Sequence, residues 1–467
     1  METVKNKCYN KFFSSIYSLI LALFVTALLF FAEAKSFGAA ISLIESNVIG
    51  AFGMFLVVVA IFELFLVYQY HVNSSFLQKK KNIVIVSVSV ILAIIAEIVA
   101  SIFLSFYFTP ILFCVIAVTA LIDKNSGYAV NAVIFLIFAV SNAFFGNIHA
   151  IYFKGIVFLA GIILIFMIYK RETRLKFIVA SFLAGIFMLP VSYVALKIIG
   201  ESYLDALYNS LFLFGGIMVS VALYMLLVPV FEQVFKICTN LKLGEYCSFS
   251  SPLLKRMAKE APGTFSHCLM VGNLAESCAL AIGENPLLAR TCAYYHDVGK
   301  IKSPEFFSEN QKTVNPHDEL IPEVSVSKIS AHTLYGYELM KKMNFPQEIC
   351  NTALQHHGTM PISYFYKKAM IITEGKADIK DYSYSGPKPK TKINAIIMIC
   401  DAAEAVVRAK GWNEENNTVK EIIKERIDLD QFSDCPITFE DLKTIEQTVS
   451  VVLAGLYHSR TSYKPRL

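Results

Sequence analysis

Tyr294-Tyr295-His296-Asp297-Val298-Gly299-Lys300 sets an imidazole beside a carboxylate at the end of an apolar run. Similar groups stand around it: His267 upstream, then His332, the pair His356-His357, and Asp401. Imidazole nitrogens and carboxylate oxygens suit divalent metals such as Mn, Fe or Zn, and this set is large enough for two ions sharing a bridging aspartate. Taken singly, a buried histidine is more often a hydrogen-bonded core residue, and a helical Asp is more often a cap or a surface charge. The conjunction decides against that reading, because five of the nine histidines fall in the series. Neighbours on a helix point about 100° apart, so a His-Asp or His-His pair can serve two ions, or ligate one and bridge to the next. Hydrolysis of phosphate esters is the chemistry to expect.

The sequence around these residues reads as helix. Leu269 to Ile282, Pro286 to Tyr295, Ser325 to Met343 and Lys392 to Arg408 carry apolar residues at three- and four-residue spacing. Breakers separate them at Gly283-Glu284-Asn285-Pro286, Ser303-Pro304, Asn315-Pro316, Phe345-Pro346 and from Ser383 to Pro389. The spacing predicts an all-α domain over 237–467, with a metal site assembled between its helices.

Upstream the composition changes. The chain has 467 residues, 55% hydrophobic, with 37 Phe and one Trp, and the apolar excess lies before about residue 236. Eight stretches are long enough, or nearly so, to cross a hydrocarbon core of about 30 Å: 14–33, 50–70, 83–105, 108–122, 129–147, 153–169, 175–199 and 208–235. The fourth to sixth are short and closely spaced, which leaves seven as the alternative count. With eight passages, every strong basic cluster falls on one side: Lys5, Lys7 and Lys11; Lys79-Lys80-Lys81; Lys124; Lys170-Arg171, Arg174 and Lys176; Lys236 and Lys242. Cytoplasmic loops are enriched in Lys and Arg, so both termini are expected in the cytoplasm of a multi-pass inner-membrane protein. The first span is expected to be retained, since its apolar run exceeds a signal peptide's and Ala32-Glu33-Ala34 is a poor cleavage site. The organisation read from these features is an N-terminal segment over 1–49 with the first span and a short outer loop, a seven-helix membrane domain over 50–236, and the soluble domain over 237–467.

Glu63, Glu97, Asn131 and Asn142 are the polar residues that stand out inside the spans. Packing between helices is the expected role, and no paired charges suggest an ion path, so a transporter ranks below a sensor or anchor. A net charge of +5 is modest, and no basic, aromatic-interleaved groove for polymeric nucleic acid is evident. The ten cysteines form no CxxC pair; eight follow residue 236, as reduced thiols of a cytoplasmic domain would.

The run His296-Asp297-Val298-Gly299 resembles the HDIG signature of the HD phosphohydrolases, with Val at the usual Ile position. More specific are Pro262-Gly263-Thr264-Phe265-Ser266-His267, Asn285-Pro286-Leu287-Leu288-Ala289-Arg290 and Phe306-Phe307 with Glu309-Asn310-Gln311. Asn315-Pro316-His317-Asp318, Gln355-His356-His357-Gly358-Thr359, Ser363-Tyr364-Phe365-Tyr366 and Gly386-Pro387-Lys388-Pro389 extend the set. Together they resemble the seven-transmembrane HD family, whose best-known type is the PgpH-like cyclic-di-AMP phosphodiesterase. The resemblance is close from Glu260 to Arg408 and weak as far as Tyr457-His458-Ser459-Arg460. In that family one span precedes a large extracellular domain, seven further spans and a cytoplasmic HD domain; here a short loop stands where the extracellular domain would be.

The resemblance implies that His267, His296, Asp297 and Asp401 bind one metal, and that Asp297 bridges to a second held by His332, His356 and His357. It implies iron or manganese as the two divalent ions, Asp297 and Lys300 as catalytic residues, and Lys300, Tyr364 and Lys388 as substrate contacts. Lys300 would neutralise phosphate charge; the opposing reading is a solvated helix-end cation. The stretch Lys367 to Lys390, with Tyr382 and Tyr384, reads as a lid stacking on adenine or as a surface loop. Ser266 stands where the family commonly has a second histidine, which alters a contact behind the ligand and not the ligand itself. The implied substrate is a cyclic dinucleotide, with membrane lipid as surroundings and a homodimer admitted. Gly358-Thr359-Met360-Pro361 lacks the Gly-Tyr-Pro element of the cyclic-di-GMP branch. That leaves cyclic di-AMP, hydrolysed to pApA, ahead of cyclic di-GMP and of a receptor whose HD domain only binds ligand.

Overall fold

The computed structural model describes residues 2–73, 76–77, 79–169, 171, 173–311, 314–411 and 417–457, the side chains of residues 2–14 and 456–457 excepted. The side chains of Lys5, Lys7 and Lys11, together with Lys170 and His458-Ser459-Arg460, lie outside the described residues. The chain forms two compact units, Met1–Leu241 and Lys242–Leu467.

The first unit is helical throughout: α1 (Glu2–Ala34), α2 (Phe37–Ser46), α3 (Val48–Val72), α4 (Lys80–Phe103), α5 (Leu112–Leu121), α6 (Lys124–Phe144), α7 (Ile148–Ile168), α8 (Arg174–Ile199) and α9 (Tyr203–Phe235). Among the described residues, seven helices are long and apolar enough to cross a bilayer: α3, α4, α6 to α9, and α1 from Ser15. Their outward faces stay apolar, with Ile49 87%, Phe103 77% and Ile198 81% exposed, as helices immersed in lipid require. The protein is therefore a multi-pass membrane protein. Only α2 intervenes between the first two spans.

The stretch expected to span at 108–122 is not a full span. Only Leu112–Leu121 is helical, about 15 Å long and half of what a bilayer core needs. Pro110 lacks an N–H and disfavours helix at Thr109 before it, and at the other end Asp123 caps α6, accepting from the Ser126 N–H at 2.9 Å. Thr109 and Ile111 to Val118 are at most 1% exposed and Pro110 between them is buried, so the break itself and the helix after it are enclosed by protein. That is the setting in which non-helical backbone is tolerated at membrane depth. The segment nevertheless carries the chain from one end of the bundle to the other. The Tyr107 hydroxyl donates to Glu201 Oε1 at the α8 to α9 turn, 2.6 Å away, whereas Asp123 accepts from Asn73 at the end of α3, at 2.8 Å. Lys124 lies 5.4 Å from the Tyr169 ring at the end of α7. Among the described residues the chain thus runs the length of the bundle eight times, seven of them as full helices.

A second expectation is overturned here. Glu97 is ion-paired inside the bundle, with Lys154 of α7, which the sequence reading had not singled out. Thr109 of the broken segment donates to Glu97 Oε2 at 2.6 Å. The other polar residues are satisfied by packing: Glu63 accepts from Ser15 and Ser18, Asn131 donates to the Phe158 carbonyl and Asn142 to that of Phe138.

The second unit comprises α10 (Asn240–Cys247), which begins just before it, α11 (Pro252–Glu260), α12 (Pro262–Ala281), α13 (Pro286–Tyr295), α14 (Pro322–Lys342), α15 (Gln347–Gln355), α16 (Ser363–Ile372), α17 (Lys392–Lys410), α18 (Thr418–Asp428) and α19 (Phe439–Tyr457). Short 3-10 turns link α13 to α14, and among the described residues the sole β pairing is the isolated bridge between Pro361 and Ser383. Proline at the first turn starts α12, α13 and α14, where its missing N–H costs nothing. Asn285 caps α13 by accepting from the N–H groups of Leu287 and Leu288. Helix α12 is the centre of the unit, packed against α13, α17 and α19, while α15 closes the other side of α13 and α14 packs on α15 and on the 3-10 turn after α13.

Candidate metal centre

Five elements converge on one point. His267 projects from the second turn of α12, and His296 and Asp297 stand where α13 gives way to the 3-10 turn Val298–Lys302. His332 lies midway along α14, His356 and His357 end α15, and Asp401 lies midway along α17. Apolar faces bury these segments against one another, so the side chains of His267, His296, Asp297, His332 and His356 are at most 2% exposed. His357 is the most open of the set, at 23%.

The donor atoms form two groups, His267, His296, Asp297 and Asp401, and Asp297, His332, His356 and His357, each within 4.8 Å. In the first, His267 Nε2 lies 2.9 Å from Asp401 Oδ1 and 3.7 Å from Asp297 Oδ2, and His296 Nε2 lies 3.3 Å from Asp297 Oδ2. In the second, His332 Nε2 and His356 Nε2 lie 3.2 and 3.5 Å from Asp297 Oδ1, and 3.3 Å from each other. The two oxygens of Asp297 thus face different groups. Donors held about 2.0 to 2.2 Å from an ion sit roughly 3.0 to 3.6 Å apart around it, close to the spacing seen. His296 Nε2 and Asp297 Oδ1 are buried without a hydrogen bond among the described residues. Such atoms are costly unless a cation takes them.

The backs of the rings agree. His296 Nδ1 donates to the Ala293 carbonyl at 2.7 Å, His332 Nδ1 to Ile329 at 2.6 Å and His356 Nδ1 to Thr352 at 3.1 Å, and His267 Nδ1 pairs with Glu404. Each bond fixes the tautomer that turns Nε2 toward the centre, the usual arrangement of a ligating histidine. Burial pushes His356 down to about 4. Burial, reinforced by His356, holds His357 well below the usual histidine range. Burial opposes the charge on Asp297, but Lys300 and His296 outweigh it and hold the carboxyl well below its ordinary value. Neutral His356 and His357 beside an ionised Asp297 are the protonation states a divalent cation requires of the second group. Burial also opposes charge on His267 and His296, but Asp401 and Glu404 raise the first to about 9 and Asp297 holds the second well above its ordinary value, so a cation in the first group displaces protons from these rings.

Lys300 is not a solvated cation. Its side chain is 12% exposed, with Nζ 2.6 Å from Asp297 Oδ2 and 2.9 Å from Glu309 Oε1, and it lies over the Phe307 ring at 4.8 Å. Burial works against its charge, yet Asp297 and then Glu309 raise its pKa. Tyr364 lies outside the cluster, 66% exposed on α16. Lys388 also lies outside it and binds Asp430 at 2.7 Å and Ser433 at 3.2 Å. Of the stretch suggested as a lid, Tyr382 bonds Glu323 and packs against Val326 and Phe365, while Tyr384 lies against His357. Glu404 and Glu309 were not among the residues drawn from sequence. The signal for Glu404 was present, an acidic residue one turn beyond Asp401 in an otherwise apolar helix.

This architecture, a multi-pass bundle with a helical HD domain built around a His/Asp cluster, defines the class. A family model described as "7TM receptor with intracellular HD hydrolase" matches residues 48–239, and one described as "HD domain" matches 264–406. By these two matches the chain is similar to the seven-transmembrane HD family over both of its units. Among its relatives, the cyclic-di-AMP phosphodiesterase PgpH of Listeria monocytogenes is 39% identical over 354 residues, covering 73% of this chain and 48% of that protein. The cyclic-di-AMP phosphodiesterase PgpH of Bacillus subtilis is 34% identical over 439 residues, covering 90% of this chain and 61% of that protein. The chain thus spans between about half and three fifths of the length of these relatives. The crystal structure of the L. monocytogenes PgpH HD domain in complex with cyclic-di-AMP is 46% identical, with a TM-score of 0.43, covering 45% of this chain and 100% of that one. A His/Asp cluster in an HD domain indicates divalent metal binding.

Proposed function

We propose that the protein is a membrane-bound, dinuclear-metal phosphodiesterase that hydrolyses cyclic di-AMP to linear pApA. The observation that carries this reading is Asp297, whose two carboxylate oxygens face separate histidine groups. Two divalent ions, Mn or Fe, held by the two groups would supply Lewis-acid polarisation of the phosphoryl oxygens and a water of lowered pKa. The chain's own residues do the rest. His267, His296, His332 and His356 are locked in orientation by their Nδ1 partners. Lys300 balances the carboxylate charge of Asp297 and presents the nearest cation to an incoming phosphate. Hydrolysis adds the water oxygen to phosphorus, breaks the bond to the 3′ oxygen and leaves the proton on that oxygen. Tyr364 and Lys388, farther out, are the proposed outer substrate contacts. The relatives' substrate and the absence of Gly-Tyr-Pro after His356-His357 support cyclic di-AMP over cyclic di-GMP.

The membrane half anchors this domain in the cytoplasmic membrane with both termini inside. The contacts of Asn73 with Asp123 and of Lys124 with Tyr169 support that orientation, since they gather lysine-bearing turns at one end of the bundle.

The test is the full chain in lipid nanodiscs with Mn or Fe, assayed on cyclic di-AMP beside cyclic di-GMP, with Asp297→Ala as blank. Turnover of the adenine compound to pApA, lost in the blank, is the expected result. Preference for the guanine compound would overturn the substrate, and metal uptake without turnover of either would turn the reading toward a receptor.

A further inference from the structure

Four of the five histidines in the centre are oriented by a hydrogen bond from Nδ1 to a protein acceptor. The His357 ring makes no hydrogen bond among the described residues; its Nδ1 lies 3.7 Å from Asp401 Oδ2, and it is the most open ring of the set. A ligand so placed needs another restraint, because a free imidazole turns about two torsions and loses affinity for its ion. The Tyr384 ring lies nearly parallel to His357, centroids 4.2 Å apart and planes inclined by 22°. Its edge meets His332 at 6.1 Å and 88°.

Tyr384 is itself held firmly. Its N–H donates to the Met360 carbonyl at 3.0 Å, and the Ile362 N–H donates to the Tyr382 carbonyl at 2.7 Å. Pro361 and Ser383 pair between these two bonds, and Lys388 ties the far end of the strap to Asp430. A rigid aromatic face is therefore fixed beside the one loosely held histidine. Donating a lone pair to a cation makes an imidazole electron-poor, which strengthens its stacking on the electron-rich phenol.

We infer that Tyr384 is the positioning residue of the second ion, holding His357 by ring stacking where the other histidines use hydrogen bonds. The inference rests on the dinuclear reading above. It gives the strap 383–390 a task distinct from base recognition, since the Tyr384 face turned to the site is taken by His357.

The test loads the full chain in nanodiscs with Mn(II), measures metal per chain and its retention against a competing chelator, and records the electron paramagnetic resonance spectrum. Tyr384→Phe keeps the ring and Tyr384→Ala removes it; thermal unfolding of both variants verifies folding. The wild type and Tyr384→Phe are expected to hold two ions with a spin-coupled signal. Tyr384→Ala should hold the second ion about 10- to 100-fold more weakly and show the signal of isolated Mn(II). Equal retention in Tyr384→Ala overturns the inference alone, as does equal loss in Tyr384→Phe, which would assign the effect to the hydroxyl. A wild type that never takes more than one ion overturns the dinuclear reading and this inference with it.

Discussion

Gly299 and Gly336 pass each other with no side chain between them: a Cβ on Gly299 would lie 1.9 Å from the His332 carbonyl oxygen and 2.7 Å from the Gly336 nitrogen. This approach seats the turn carrying Asp297 on the helix carrying His332, and so sets the distance from the shared carboxylate to the second group. Gly299→Ala forces backbone apart and should destabilise the domain by about 1–3 kcal/mol, with weaker metal retention. Denaturant midpoints and metal content measure both effects. Gly455→Ala, in open space on α19, is the control and should be neutral or stabilising by up to about 1 kcal/mol.

Glu404 supports His267 from behind, both side chains being 2% exposed. Glu404→Gln keeps the shape but weakens the acceptor, so metal affinity or turnover should fall about 10- to 100-fold. A chelator competition that finds wild-type affinity would remove Glu404 from the metal support.

Glu309 gives a pH-dependent prediction. Burial tends to raise its pKa, but Lys300 outweighs burial and the folded value lies below the ordinary 4.5. A depressed carboxylate adds stability that is complete above its unfolded value and fades as pH falls through the folded one. The metal-free Glu309→Gln variant should therefore be less stable than wild type at neutral pH, and the gap should close on acidification below 4.5. Unfolding curves across that range decide it; a gap independent of pH would assign the contribution to the hydrogen bond that the Thr264 hydroxyl donates to Glu309 Oε1 at 3.0 Å instead.

The Glu97 and Lys154 side chains are 9% and 4% exposed. Removing one partner strands a charge, so Glu97→Leu or Lys154→Met alone should cost about 3–5 kcal/mol, and the double variant should recover most of it. Unfolding in mixed detergent micelles, monitored on the full chain, tests the cycle. Equal losses in the single and double variants would show that each residue acts through other contacts.

The metal set was legible because donors came in adjacent pairs, His296-Asp297 and His356-His357, a pattern with little use in an ordinary core. Of their supports, Glu404 left a faint sign, an acid one turn beyond Asp401, whereas Glu309 looks like any surface acid of a loop. The role of Lys300 needed the fold, since only the chain reversal after α13 brings Glu309 back to it. In the membrane half, composition showed where the chain is apolar but not where an apolar stretch stops being helical. Thr109-Pro110 was the local sign of the break. Lys154 was passed over because one lysine barely lowers the hydropathy of a long span, and its partner lies on a helix 57 residues away in sequence.

The interrupted crossing also bears on how the protein is made. Ten helical residues with eight irregular ones before them cannot partition into lipid unaided, since their backbone groups find no partners there. Much of what encloses them is synthesised later: Lys154 is on α7 and Phe231, which meets Phe113, is on α9. Gly216 of α9 lies so close to Thr109 that its absent Cβ would be 2.6 Å from the Thr109 nitrogen. The fourth passage must therefore wait, partly inserted, until the last membrane helices arrive, so that truncation anywhere before α9 leaves it unfinished.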